Sequence, residues 1–137
     1  MAIAALFVTA GGAFASSGDV DLLVGVERVS TTNGLTLYSG VKTEAQAAAL
    51  CDDAFCAYSS NAGEVQVADD CGVGAYIPQS WRTGAAGGWW QNSLPTGFVS
   101  MYNNAGTNIY DTPDAYSADW TANWGPVRYW EIQCGNP

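Results

Sequence analysis

The sequence contains no histidine. That single absence excludes a Ser-His-Asp triad, a Cys-His dyad, a histidine-ligated zinc site and a haem held through imidazole. Cations are nearly as scarce: four Lys+Arg stand against thirteen Asp+Glu, for a net charge of −9. The four, Arg28, Lys42, Arg82 and Arg128, are scattered along the chain. Nucleic acid and anionic membrane both need clustered positive charge, so neither is expected as a partner. Charged residues make up only 12% of the chain, against about 25% in an ordinary globular domain. No Asn-x-Ser/Thr triplet occurs, which excludes N-glycosylation and leaves O-glycosylation of Ser and Thr open. No uncharged stretch reaches the roughly 20 consecutive apolar residues of a membrane-spanning helix.

What fills the gap is Gly, Ser, Thr, Asn and aromatics, a neutral polar surface of the exported kind. The 137 residues suffice for one domain with a modest core. Four cysteines are present, and their spacing is not that of a zinc site. Disulfides formed in an oxidising, extracellular compartment are the simpler reading. Of the three possible pairings, Cys51–Cys56 with Cys71–Cys134 is favoured: the first would tie the end of a helix to the next strand, the second would anchor the last strand.

The chain opens with "MAIAALFVTAGGAFASSGDV". Ala2 to Ala15 carries no charge, and Ala13-Phe14-Ala15 before Ser16 has the form of a signal-cleavage site, yet no basic residue precedes Ala2. The alternative is an assembly arm, residues 1–18, in which Ile3, Leu6, Phe7, Val8 and Phe14 bury against a neighbouring subunit. Burial would stabilise by roughly 1.5–3 kcal/mol per large side chain. Gly11 to Gly18 would serve as a flexible hinge. Residues 19–137 are then expected to form one disulfide-stabilised, β-rich globular domain. Val20, Leu22, Val24 and Val26 alternate with Asp21, Leu23, Gly25 and Glu27, which predicts a half-buried strand. Such a strand suits either its own sheet or strand addition between subunits.

Asn33-Gly34 between two strand-like runs predicts a hairpin. Thr43 with Gln46 three residues on forms a capping box, Glu44 suits the positive end of the helix dipole, and an Ala-rich run follows. One short helix is predicted over about 43–53, with "FCAYSS" after it as a strand. The stretch "TEAQAAALCDDAFCAYSSN", residues 43–61, resembles the core of PAN/apple-type domains, where a Cys-bearing helix runs into a strand. The family usually has a further helix Cys one turn earlier, where this chain has Ala47, and here the strand aromatic is Tyr58. The resemblance implies the Cys51–Cys56 pair, the helix-to-strand order, and an extracellular module that binds protein or glycan without catalysis.

From Glu64 onward the sequence alternates short apolar runs with turn residues. "EVQVA", "GAYIP", "GGWWQN", "GFVSMYN", "NIYD" and "VRYWEIQC" read as strands. The fold class expected is α+β and β-rich, with several short antiparallel strands. All six Trp lie between Trp81 and Trp130. Trp is an efficient core residue, but Trp81, Trp89, Trp90, Trp120 and Trp124 are also candidate ligand or interface aromatics. On a strand, Trp89 and Trp90 would point to opposite faces.

Catalytic chemistry would have to come from carboxylates. The candidates are Asp69, Asp70, Asp111, Asp114, Asp119 and Glu131, and nothing in their spacing sets two of them across a cleft. Asp111, Asp114 and Asp119 share one loop and are candidate oxygen ligands for Ca²⁺, although the spacing is not that of an EF-hand and a turn capped by Asp explains it as simply. No cofactor and no enzymatic activity are expected. The sequence points first to a secreted structural subunit that polymerises with copies of itself through its N-terminal arm. The alternative is an extracellular glycan- or protein-binding module with a Trp-rich surface.

Overall fold

The computed structural model describes residues 22–83 and 87–135. The elements defined among the described residues are, in order, β1 (Glu27–Thr32), β2 (Leu35–Ser39), α1 (Glu44–Ala49), β3 (Phe55–Ser59), β4 (Glu64–Ala68), β5 (Gly74–Tyr76), α2 (Gln79–Arg82), β6 (Gly88–Asn92), β7 (Phe98–Tyr102), β8 (Asn108–Asp111), β9 (Ser117–Ala122) and β10 (Tyr129–Gln133). They form an antiparallel six-stranded sheet, β1-β2-β4-β3-β6-β9, and an antiparallel four-stranded sheet, β5-β10-β7-β8. The expected β-rich α+β architecture is therefore present, with a second helix, α2, that the sequence reading did not contain.

The sheets face each other across one core. Phe55, Ala57, Ala68 and Trp90 line it from the larger sheet, and Ala75, Val99, Met101, Trp130 and Ile132 from the smaller. Phe55 meets Trp130 with ring centroids 4.8 Å apart. Burying a Trp requires an acceptor for its N–H. Trp130 Nε1 donates to Gln66 Oε1 (2.8 Å), Trp81 Nε1 to Glu64 Oε1 (2.8 Å) and Trp124 Nε1 to the Tyr58 carbonyl (2.8 Å). Gln66 also donates from Nε2 to the Tyr76 carbonyl at 2.9 Å, so one buried amide ties β4 to both β10 and β5. Strand alternation sends Cys56, Tyr58, Val65 and Trp89 to the opposite face of the larger sheet, where they pack with Val41, Ala47 and Cys51.

α1 begins where the capping signal predicts. Thr43 Oγ1 accepts the Gln46 N–H at 3.1 Å, and the Gln46 side chain turns back to accept the Lys42 N–H at 2.6 Å. The helix is shorter than 43–53 because the chain turns sharply through Asp53, at φ 53°, to reach β3. Both disulfides have the favoured pairing, Cys51–Cys56 and Cys71–Cys134, with Cα atoms 5.7 and 5.6 Å apart. The first joins the end of α1 to β3 and the second ties the loop before β5 to the chain after β10. Asn33 and Gly34 both have positive φ, 53° and 85°, as the two-residue hairpin between β1 and β2 requires.

The strand predicted over Val20–Val26 is not one in its described part. Val26 N–H bonds back to the Leu23 carbonyl in a turn around Gly25, and the ladder starts at Glu27. Leu23 is buried and Val24 is 72% exposed, the reverse of the predicted alternation. β9, "SADWTA", is an outer strand the reading missed: Ser, Ala and Asp carry little strand propensity, and pairing to β6 makes it a strand. The assembly-arm residues Ile3, Leu6, Phe7, Val8 and Phe14 lie outside the described residues. Among the described residues no helix is long and apolar enough to cross a membrane.

Candidate functional site

Register creates an aromatic row on the smaller sheet. Tyr129 of β10 is the cross-strand partner of Tyr76 of β5 on one side and of Tyr102 of β7 on the other. Directly opposed residues share a face. Ring centroids are 4.9 Å apart for Tyr76–Tyr129 and 6.2 Å for Tyr102–Tyr129. Trp130 and Ile132 point into the core, so Tyr129 and Glu131 point outward. Gly74 lets the Tyr129 ring lie across the neighbouring strand: a Cβ there would sit 2.8 Å from Tyr129 Cζ.

The row floors an open cleft of about 430 Å³ whose rim carries hydrogen-bonding groups. Asn103, Asn104 and Gly106 come from the β7–β8 turn, Arg128 and Glu131 from β10 and the residue before it. The turn is fixed by Asn103, whose Oδ1 accepts the N–H groups of Ala105 (2.9 Å) and Thr107 (3.0 Å). Asn104 Oδ1 accepts from Arg82 Nη2 at 3.2 Å. The Arg128 guanidinium lies 5.2 Å from the centre of the Tyr76 ring, a cation–π contact. Burial chiefly, then the Glu131 carboxylate and the two neighbouring phenols, holds the Tyr129 phenol above its ordinary 10.0. At neutral pH it is a protonated hydroxyl, able to donate and accept.

None of the five tryptophans named as ligand or interface candidates, Trp81, Trp89, Trp90, Trp120 and Trp124, lines this cleft. Trp81, Trp89, Trp90 and Trp124 are buried and form the two cores, as is Trp130. Trp120 alone among the six is open to solvent, at 46% exposure, and it packs on Trp89 with centroids 5.0 Å apart. The Trp89 N–H is buried with no acceptor.

The acidic candidates also separate. Asp111 Oδ1 accepts from Ser100 Oγ at 2.7 Å and Asn108 Nδ2 at 3.0 Å, while Asp119 Oδ1 accepts from the Thr121 N–H and hydroxyl at 2.9 and 3.2 Å. Asp114, Asp69 and Asp70 are exposed loop residues. Among the described residues no group of three His, Cys, Asp or Glu is placed to hold a metal ion, so the Ca²⁺ candidate Asp111/Asp114/Asp119 does not assemble. Among the described residues lining the cleft the carboxylate is that of Glu131. The arrangement suits recognition: aromatic surface below, amide, guanidinium, phenol and carboxylate groups above.

The cleft was hidden in the sequence because its residues come from 76, 102–106 and 128–131. Only Glu131 had been singled out as a site candidate. The available signal was the alternation in "RYWEIQ", which separates inward Trp130 and Ile132 from outward Tyr129 and Glu131. Comparison with known protein families, with curated proteins and with solved structures finds no match to this chain.

Proposed function

We propose that this protein is a non-catalytic, extracellular glycan-binding module whose site is the tyrosine cleft. The observation that carries this reading is the in-register row Tyr76–Tyr129–Tyr102 bordered by Asn103, Asn104, Arg128 and Glu131. Sugars present apolar C–H faces and a fringe of hydroxyls. Aromatic rings meet the first, and side-chain amides and carboxylates meet the second. The two disulfides fit an oxidising compartment. The resemblance of residues 43–61 to PAN/apple-type domains implies the same kind of role.

The test is a glycan array followed by saturation-transfer NMR on the bound sugar, with Y129A beside the unaltered protein. The expected result is saturation transfer from the tyrosine ring protons to the C–H protons of the sugar, lost in Y129A. An array without a hit, or binding indifferent to Y129A, refutes the cleft as a glycan site.

A second reading keeps copies of this chain as partners. It is favoured by β1, an outer strand of the larger sheet with all six residues exposed. An open strand edge accepts an added strand, and the apolar residues before Ser16 would supply the inserting segment. Electron microscopy of the full chain and of one beginning at Ser16 tests it: fibres from the first alone are expected, and monomers from both would end it.

A further inference from the structure

One of the four cations of this acidic chain, Arg128, lines the cleft, a second, Arg82, bonds to its rim residue Asn104, and among the described residues neither has a carboxylate partner. Arg128 lies over the Tyr76 ring. It is exposed, and among the described residues no side-chain hydrogen bond or ion pair engages it. Arg82 reaches the same rim through Asn104, and its Nε is buried without an acceptor. Thirteen Asp and Glu are available in the chain, and a free guanidinium stacked on an aromatic ring is preorganised for a planar two-oxygen acceptor. The carboxylates sit in the adjacent row of the same sheet: Glu131 faces Ser100, and Ser100 faces Asp111. The tyrosines therefore divide a cationic side from an acidic one.

We propose that the ligand is an acidic glycan containing uronic-acid residues, its carboxylate taken by Arg128 and its hydroxyls by Glu131 and the turn amides. This rests on the glycan-binding reading and narrows it. A uronate carries both groups on one ring, so a polarised cleft fixes the direction in which the chain of sugars lies. Stacking on Tyr76 holds the guanidinium in place before the ligand arrives, which lowers the ordering cost of binding. A neutral sugar would leave Arg128 uncompensated, whereas a uronate brings one planar carboxylate per sugar to meet its guanidinium fork.

The experiment compares oligogalacturonate with the same oligomer fully methyl-esterified, by isothermal titration calorimetry, on the unaltered protein and on R128Q, R128K and Y129A. The acid form is expected to bind about tenfold or more tightly than the ester, the gain of one charge-assisted contact. The preference is expected to shrink with added salt. In R128Q the ratio of the two dissociation constants falls towards one, and R128K, which keeps the charge without the planar fork, lies between. Circular dichroism in non-reducing buffer checks that each variant is folded. Equal binding of acid and ester by the unaltered protein, or a preference that survives in R128Q, overturns the inference while leaving glycan binding in place. Preference for a sulfated glycan over the uronate overturns it as well. Absence of binding to both oligomers and to every sugar on the array defeats the glycan-binding reading, and this inference with it.

Discussion

Replacing Gln66 by Leu removes one buried side chain that serves both layers of the fold. Leu nearly matches the volume, so no large cavity forms, but two polar groups lose their partner at once. The Trp130 N–H loses a 2.8 Å acceptor and the Tyr76 carbonyl loses a 2.9 Å donor. Gln66 is 4% exposed and Trp130 0%, so water does not readily replace either bond. Each orphaned buried group costs about 1–3 kcal/mol, and Q66L should therefore lose roughly 2–6 kcal/mol. That is a large part of the ~5–15 kcal/mol that holds a domain folded. The assay is equilibrium urea unfolding in non-reducing buffer, followed by tryptophan fluorescence. A cycle with W130F separates the two bonds: W130F has no N–H to orphan, so the cost of Q66L in that background should fall by about 1–3 kcal/mol. A Q66L loss below about 1 kcal/mol, or strict additivity in the cycle, would show that the inter-sheet bonds carry no stability and would refute the argument.

Other perturbations follow from the same geometry. Removing the Cys71–Cys134 bond by a double Ser substitution reopens a separation of 63 residues, which the chain-entropy relation puts at about 4 kcal/mol; chemical denaturation should show a loss of that order, and a change under 1 kcal/mol would contradict it. T43A deletes the acceptor for the Gln46 N–H and should cost about 1 kcal/mol by the same assay. G74A drives a methyl into the Trp130 carbonyl and the Tyr129 ring; it should weaken both stability and ligand binding, and retention of full binding would remove Tyr129 from the site. Burial raises the phenols of Tyr38, Tyr58, Tyr110 and Tyr129 above their ordinary 10.0. The folded state then holds protons that the unfolded state releases, so stability is intact below pH 10 and declines as pH climbs through the raised values. Ultraviolet difference titration alongside unfolding at several alkaline pH values checks that sign.

Local chemistry was easy to read. Thr43 and Gln46 announce the start of α1, Asn33-Gly34 the β1–β2 hairpin, and the alternation of "EVQVA" gives β4 its boundaries, because each signal depends on neighbours a few residues apart. Leu23 and Val24 misled because periodicity takes no account of Gly25, whose positive φ turns the chain before a strand can begin. All six tryptophans read alike in the sequence, as core residues or as ligand and interface aromatics; only tertiary placement distinguishes Trp120 from the five that are buried. The tyrosine row was out of reach for a different reason. Tyr76, Tyr102 and Tyr129 become neighbours through the pairing register of three strands, and register is a property of the assembled sheet.

The Cys71–Cys134 bridge has a mechanical consequence. Tension applied between a point upstream of Cys71 and one beyond Cys134 crosses from one sulfur to the other and bypasses the 62 residues between them. Tyr76, Tyr102, the Asn103–Gly106 turn, Arg128, Tyr129 and Glu131 all lie inside that covalent loop. Pulling in this direction can peel β1 to β4 from the larger sheet, but it cannot draw β5, β7 and β10 out into an extended strand. In single-molecule pulling the loop should lengthen only after reduction. Under flow or shear, the recognition surface belongs to the part of the molecule that the main-chain load does not traverse.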